Sequence, residues 1–144
     1  MIVAKFNGNV SRCNELEIQK YKNRLSEPFL DRIDLTVIMQ NVSAEDKPSI
    51  SSKEMHKQVV AANIFRQKRK QKNCNAKMYD VEIEKYCVMT QTASDTLAMA
   101  VERFRLSFRS IKKVQKVART IADLAESEEI EKEHLLEALS YRRR

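Results

Sequence analysis

The stretch from Ser107 to Leu124, SFRSIKKVQKVARTIADL, admits one kind of local structure. Its apolar residues stand at Phe108, Ile111, Val114, Val117, Ala118, Ile121 and Ala122, with Ala125 just beyond. That is the three-and-four spacing of a single helix face. Arg109, Lys112, Lys113, Lys116 and Thr120 keep the same spacing on another face. The stretch therefore predicts a core helix carrying a cationic stripe, and periodicity alone assigns that stripe to solvent. Ser107 stands where an N-cap belongs.

The flanking segments continue the helical reading. Ser51 and Glu54 form a capping box that opens a helix with Met55, Val59, Ala62 and Phe65 inward. It ends in Arg66-Gln67-Lys68-Arg69-Lys70-Gln71-Lys72, with five positive charges in seven residues. Cations suit a helix C-terminus, and they equally suit a phosphate backbone. Arg66, Lys68, Arg69, Lys70 and Lys72 are thus candidates for DNA or phosphate contact, although no aromatic residue interleaves them for base stacking. Lys72 to Met78 reads as a loop, and Asp80 as the cap of a short helix carrying Val81, Ile83, Tyr86 and Cys87. Thr92 with Asp95 reads as a second capping box, opening a helix with Leu97, Ala100, Val101 and Phe104 inward. Leu106-Ser107 makes the corner into the organising helix. An acidic connection, Glu126 to Glu131, leads to a last helix, Glu131 to Tyr141, that buries Leu135, Ala138 and Leu139. His134 on that helix reads as a packing residue rather than a metal ligand.

Before Ser51 the pattern changes. Residues 1–12 show no period, and Asn7-Gly8-Asn9 is a turn signal. Leu16, Ile18 and Tyr21 mark a short helical stretch. Pro28 halts helix continuation and biases Glu27 toward extended geometry. From Ile33 the apolar residues alternate through Leu35, Val37 and Met39, which predicts a strand. Ile38 breaks the alternation, as in a strand buried on both faces of a parallel sheet. A lone strand cannot make such a sheet, and no second convincing strand follows. Asn41 to Ile50 is polar, contains Pro48 and reads as a linker. The expected organisation is residues 1–40, a linker 41–50 and a helical domain 51–144.

One glycine and two prolines in 144 residues leave little material for a turn-rich β fold. The net charge of +7, with acids and bases interleaved, fits a nucleic-acid or nucleotide partner and fits plain solubility as well. No apolar run approaches the ~18 residues of a membrane span, so no membrane partner is expected. An odd count of three cysteines, Cys13, Cys74 and Cys87, suits reduced thiols and a cytoplasmic setting. Cys13 alone cannot hold a metal, which takes three or four ligands, and none is expected. No Ser/His/Asp or Cys/His arrangement is signalled.

Two blocks carry a family resemblance. Ser107-Phe108-Arg109 followed by Lys116 to Leu124, KVARTIADL, resembles the second-sensor helix of the magnesium-chelatase and ComM-type AAA+ ATPases, where S-x-R opens the helix. Ser26 to Leu35, SEPFLDRIDL, resembles the S-G-P-L-L-D-R-I-D-L of that family, with Glu27 for glycine and Phe29 for leucine. Weaker matches are Cys13, against the last cysteine of a family loop, and Glu133-His134, Glu137-Ala138-Leu139 and Tyr141-Arg142. The resemblance implies an all-α fold: an AAA+ lid bundle of four to five helices, with a remnant strand of the α/β core on its N-terminal side. It implies that residues 1–40 are this core remnant; because a lone apolar strand exposes unpaired edges, they are expected to be poorly ordered or paired with another copy. It implies a missing ATPase core, a homo-oligomeric ring (a hexamer), and ATP with Mg²⁺ in the full-length protein. Arg32 matches the arginine finger that reaches a neighbour's nucleotide in trans, with Asp31 and Asp34 orienting it, and Arg109 matches the second sensor. The competence-type wording implies action on DNA. Magnesium insertion into a porphyrin is the alternative within the family, and a free-standing basic helical DNA-binding module is the alternative outside it.

The phosphate-binding loop G-x-x-x-x-G-K-[ST] does not occur in these 144 residues, whose only glycine is Gly8, and neither does the acid pair that would hold Mg²⁺. No cofactor is expected for this chain alone, and the isolated polypeptide is predicted to have no measurable ATPase activity. Turnover in the pure chain that survives Arg109→Ala contradicts this.

Overall fold

The computed structural model describes residues 16, 20, 24, 26–30, 32–37, 39, 43, 45–47 and 49–142. They fall into two units, the larger being Lys47–Arg142 and the smaller holding the described residues up to Asp46. The larger unit is built from α1 (Ser52–Lys68), a 3-10 turn (Asn75–Lys77), α2 (Asp80–Tyr86), α3 (Gln91–Phe104), α4 (Phe108–Leu124) and α5 (Lys132–Ser140). The all-α class and the five-helix count agree with the expectation.

Helix ends follow local hydrogen bonding, in places differently from the sequence reading. At α1 the capping box forms as expected: Ser51 N–H donates to Glu54 Oε2 at 2.9 Å and Glu54 N–H to Ser51 Oγ at 3.3 Å. These bonds, the Ser51 hydroxyl first, hold the Glu54 carboxyl below its ordinary value. Ser107 caps α4, its Oγ accepting from Ser110 N–H at 3.2 Å. The expected Thr92–Asp95 box does not form. Thr90 caps α3 instead, accepting from Ala93 N–H, while Asp95 accepts from the Gln91 amide. The reason lies outside the helix. Thr90 N–H donates to Ile130 O at 3.1 Å beside a parallel bridge between Met89 and Ile130, which holds Thr90 extended. Asp80 is not a cap either. Tyr79 holds that position, its N–H donating to Glu82 Oε2 at 2.9 Å, and Asp80 forms an ion pair with Lys112 of α4. Glu131 and Tyr141 flank α5 as its caps.

Helix α4 packs against α1, α2, α5 and the 3-10 turn, and α3 packs on α5. The core joins Met78, Ile83, Cys87, Leu97, Val114, Ala118, Ala122, Ile130, Leu135 and Ala138. Most of the predicted inward faces are therefore inside. Others are not: Met55 and Val59 are exposed on α1, which buries no residue, Phe104 and Phe108 are exposed at the α3–α4 corner, and Ala125 is exposed just past α4. Val81 is exposed as well.

The strand predicted from Ile33 is not formed among the described residues. Residues 33–37 and 39 take part in no strand or bridge, and Leu35, Val37 and Met39 are exposed. A strand is stable only when its backbone N–H and C=O groups find a ladder. A single helical turn, Glu27–Leu30, precedes them. Ile38 and most of residues 1–25, including Cys13, lie outside the described residues, so the expected order of residues 1–40 has no counterpart here.

Cys87 is buried in the core with its thiol donating to Gln115 O at 3.7 Å, whereas Cys74 is exposed. Burial pushes the Cys87 thiol up to about 11 from 9.0. Stability tied to the neutral thiol is therefore intact below pH 9 and is lost as pH rises toward the folded value. Alkylation of the native chain at mildly alkaline pH is predicted to label Cys74 and spare Cys87. Equal labelling of both in the folded chain contradicts this packing.

Candidate functional site

Several side chains of the cationic stripe of α4 tie it to neighbouring segments. Lys112 pairs with Asp80 of α2 and lies over the Phe108 ring, with Nζ 3.8 Å from the centroid. Lys116 Nζ donates to Ala76 O at 3.2 Å, tying α4 to the 3-10 turn. Thr120 Oγ1 accepts from Asn75 Nδ2 at 3.1 Å. Arg109, in the first turn after the Ser107 cap, is exposed. A guanidinium there has the permanent charge and planar fork that match phosphate oxygens.

The other end of α4 holds a polar cluster for which the sequence reading had assigned no role. Asp123 is 2% exposed and Arg119 is fully buried. Arg119 Nε donates to Asp123 Oδ1 at 3.1 Å, while Nη1 and Nη2 donate to the carbonyls of Glu128 and Ser127 at 2.7 and 2.5 Å. Arg69 grips the same carboxylate with both terminal nitrogens, Nη2 reaching Oδ2 at 3.0 Å. Asn75 Nδ2 adds a further bond to Oδ2 at 2.8 Å, and the Gln71 amide donates to Asn75 Oδ1 at 2.8 Å. One carboxylate thus joins the end of α1, the 3-10 turn, α4 and the loop after it. Burial pulls the Arg119 guanidinium below its ordinary value, and the charge of Asp123 opposes that pull. Arg119 and Asp123 stand four apart, a spacing that pairs side chains on a helix. An ion pair between the apolar positions Ala118 and Ala122 was the available signal for a buried bridge.

This arrangement places the basic run of α1 in a new light. Arg66 Nη1 donates to the carbonyls of Gln71 and Asn73, at 3.3 and 2.9 Å, and Arg69 is committed to Asp123. Both guanidiniums are half-buried and fold the chain back after α1, with Lys70 in the left-handed region at φ 57°. Lys68, Lys70 and Lys72 are exposed. Arg69 and Arg109 address opposite ends of α4, since the 14 residues from Arg109 to Asp123 rise ~21 Å at ~1.5 Å each.

Arg32 follows the single helical turn, its N–H donating to Phe29 O at 3.0 Å, and is exposed. Asp34 is also exposed, and Asp31 lies outside the described residues. Arg32 and Arg109 belong to different units. His134 Nδ1 accepts from Glu131 N–H at 3.1 Å, a capping contact at the start of α5. Among the described residues, no group of three or more His, Cys, Asp or Glu side chains is placed to hold a metal ion. No helix among them is long and apolar enough to cross a membrane.

Comparison with known proteins gives two adjoining family matches: magnesium chelatase, subunit ChlI, over residues 3–47, and magnesium chelatase, subunit ChlI C-terminal, over residues 49–142. The chain is 39% identical over 146 residues to the uncharacterized protein YifB of Salmonella typhimurium. It is 37% identical over 142 residues to YifB of Escherichia coli, and 34% identical over 145 residues to the competence protein ComM of Haemophilus influenzae. Each alignment covers 95% of this chain and 28% of the relative, so the chain spans just over a quarter of their length.

Removing one partner of a buried ion pair leaves an uncompensated charge and costs about 3–5 kcal/mol. Asp123→Ala, which strands two guanidiniums, is predicted to destabilise the chain by at least that amount in urea unfolding. A loss below ~1 kcal/mol contradicts the role given to this carboxylate.

Proposed function

The chain belongs to the family of the magnesium chelatase subunit ChlI C-terminal domain, and on that premise we propose that it is the nucleotide-sensing lid segment of a ring-forming ATPase that acts on DNA. The observation that carries the reading is the pair of consecutive matches, residues 3–47 and 49–142, with an S-x-R arginine exposed at the start of the helix that α1, α2 and α5 pack around. Arg119 and Asp123 hold the far end of that helix, and Arg109 is exposed at the near end. In this reading Arg109 contacts the phosphates of the nucleotide bound by its own subunit, and Arg32 approaches the γ-phosphate held by the neighbouring subunit. A bound ATP with Mg²⁺ supplies the phosphoryl group. The two arginines contribute fixed positive charge where negative charge spreads during transfer. Both guanidiniums lie on exposed backbone turns, as contact with a ligand held elsewhere requires.

The competence name of one relative and the net charge of +7 favour DNA as the substrate. The chelatase description of the family favours a second reading, metal insertion into a porphyrin.

In the full-length protein, Arg32→Ala is predicted to lower turnover by roughly 10³-fold or more while sparing ATP binding, and Arg109→Ala to weaken binding as well. Mixing Arg32→Ala subunits with subunits lacking the phosphate-loop lysine should restore part of the activity, because intact half-sites then meet at one interface. A mixture that stays inactive, although each variant assembles, contradicts the trans role. Stimulation of turnover by DNA rather than by porphyrin separates the two substrates.

A further inference from the structure

The corner between α3 and α4 carries two aromatic rings that the periodicity of their helices places inside. Phe104 is 41% exposed and Phe108 is 72% exposed. A single exposed apolar side chain is ordinary. These two stand four residues apart, and each lies under a cation. The Arg142 guanidinium, at the end of α5, is 4.4 Å from the Phe104 centroid, and Arg103 is 5.6 Å from it. Lys112 lies over Phe108. The backbone at the corner is set by Arg105 in the left-handed region at φ 49°, with Leu106 N–H donating to Val101 O at 3.2 Å. From Arg103 to Lys113 the sequence RFRLSFRSIKK holds five basic residues and no acidic one. Lys112 in this run pairs with Asp80. The basic run at the end of α1 holds its five cations in seven residues with no aromatic residue among them.

We propose that this corner, formed by Arg103, Phe104, Arg105 and Phe108 with Arg142, is a binding surface for single-stranded nucleic acid. The inference deepens the DNA part of the reading above and rests on it. The chemistry is that of a stacking platform. Bases stack on aromatic faces and on guanidinium planes, while neighbouring cations follow the phosphates. Four residues of chain reach at most ~14 Å, so both rings address one short stretch of strand. Charge complementarity selects the occupant: five cations and no acid in eleven residues favour a polyanion, and two exposed ring edges and faces favour one whose bases are unstacked, a single strand over a duplex.

The test uses the 144-residue chain without ATP and a fluorescent oligothymidylate, with a duplex of equal length as competitor, in anisotropy titrations at two salt concentrations. The wild-type chain is expected to bind the single strand in preference to the duplex and to weaken as salt rises. Phe104→Ala/Phe108→Ala should lose about tenfold or more in affinity, from stacking worth ~1–3 kcal/mol per base, and keep the salt slope. Arg103→Gln/Arg142→Gln should lower that slope. Phe108→Trp, which retains a stacking face, should bind as the wild type does, and this separates lost stacking from lost folding. Full binding by the double phenylalanine variant overturns the surface and leaves the DNA reading standing, as does a double variant that keeps DNA but no longer associates with the N-terminal ATPase region. Absence of binding by the wild-type chain also overturns the surface, with DNA-stimulated turnover of the full-length ring remaining the separate test of the reading. Equal binding of duplex with the same dependence on phenylalanine overturns the single-strand assignment.

Discussion

An ionised carboxylate at 2% exposure is tolerable only when donors replace the water it has lost, and Asp123 has those donors from Arg69, Arg119 and Asn75. Much of the architecture of residues 47–142 follows from that requirement. Arg69 must come back from the end of α1 to reach it, which draws Lys70 into the left-handed region and turns the chain toward the 3-10 segment. Asn75 must face it, which places that segment against α4. Arg119, held by the same carboxylate, turns its other nitrogens to the carbonyls of Ser127 and Glu128 and closes the loop that returns to α5. Hydrophobic burial supplies the bulk of the folding drive through Ile83, Leu97, Val114, Ile130 and Leu135. The polar cluster decides which geometry that drive selects.

The chain achieves its corners with almost no glycine. Lys70, Arg105 and Glu126 all take positive φ after helices, where a Cβ is disfavoured and glycine is the usual choice. Each is held by contacts around it: Lys70 N–H on Gln67 O, Leu106 N–H on Val101 O, and Ser127 N–H on Ala122 O. These bonds satisfy carbonyls that the helix ends leave without partners. The short corner between α3 and α4 brings Ser107 into the capping position and sets Arg109 in the first exposed turn.

Helix existence and type were readable from residue spacing, because a three-and-four pattern has few other solutions. Val114, Ala118 and Ala122 are inside as the pattern requires. Starts were readable where the cap is local, as at Ser51 and Ser107. They were not readable where a distant partner decides, as at Thr90, which Ile130 holds from 40 residues away. The α1 face was misread because its apolar residues, Met55 and Val59, meet nothing in the unit that could cover them. The strand expected from Ile33 has no ladder among the described residues, because alternation signals a propensity for pairing, and pairing needs a second strand. At the candidate site Arg109 and Arg32 are both exposed, and the roles expected for them come from the resemblance and not from spacing. The roles of Arg66, Arg69, Arg119 and Asp123 could not be read from type, since a charged residue in a sequence is assigned to solvent until its partner is seen.

The two ends of α4 differ: an exposed arginine, Arg109, proposed to meet nucleotide, and a buried bridge, Arg119–Asp123, that maintains the fold. The most direct measurement is the thermal unfolding of the full-length protein with and without ATP for three chains: wild type, Arg109→Ala and Asp123→Ala. Ligand that binds only the folded state raises the melting temperature. Arg109→Ala is expected to lose most of the ATP-induced rise, whereas Asp123→Ala melts well below both the wild type and Arg109→Ala before any nucleotide is added. An Arg109→Ala protein that keeps the full rise, or that melts as low as Asp123→Ala without nucleotide, contradicts these roles.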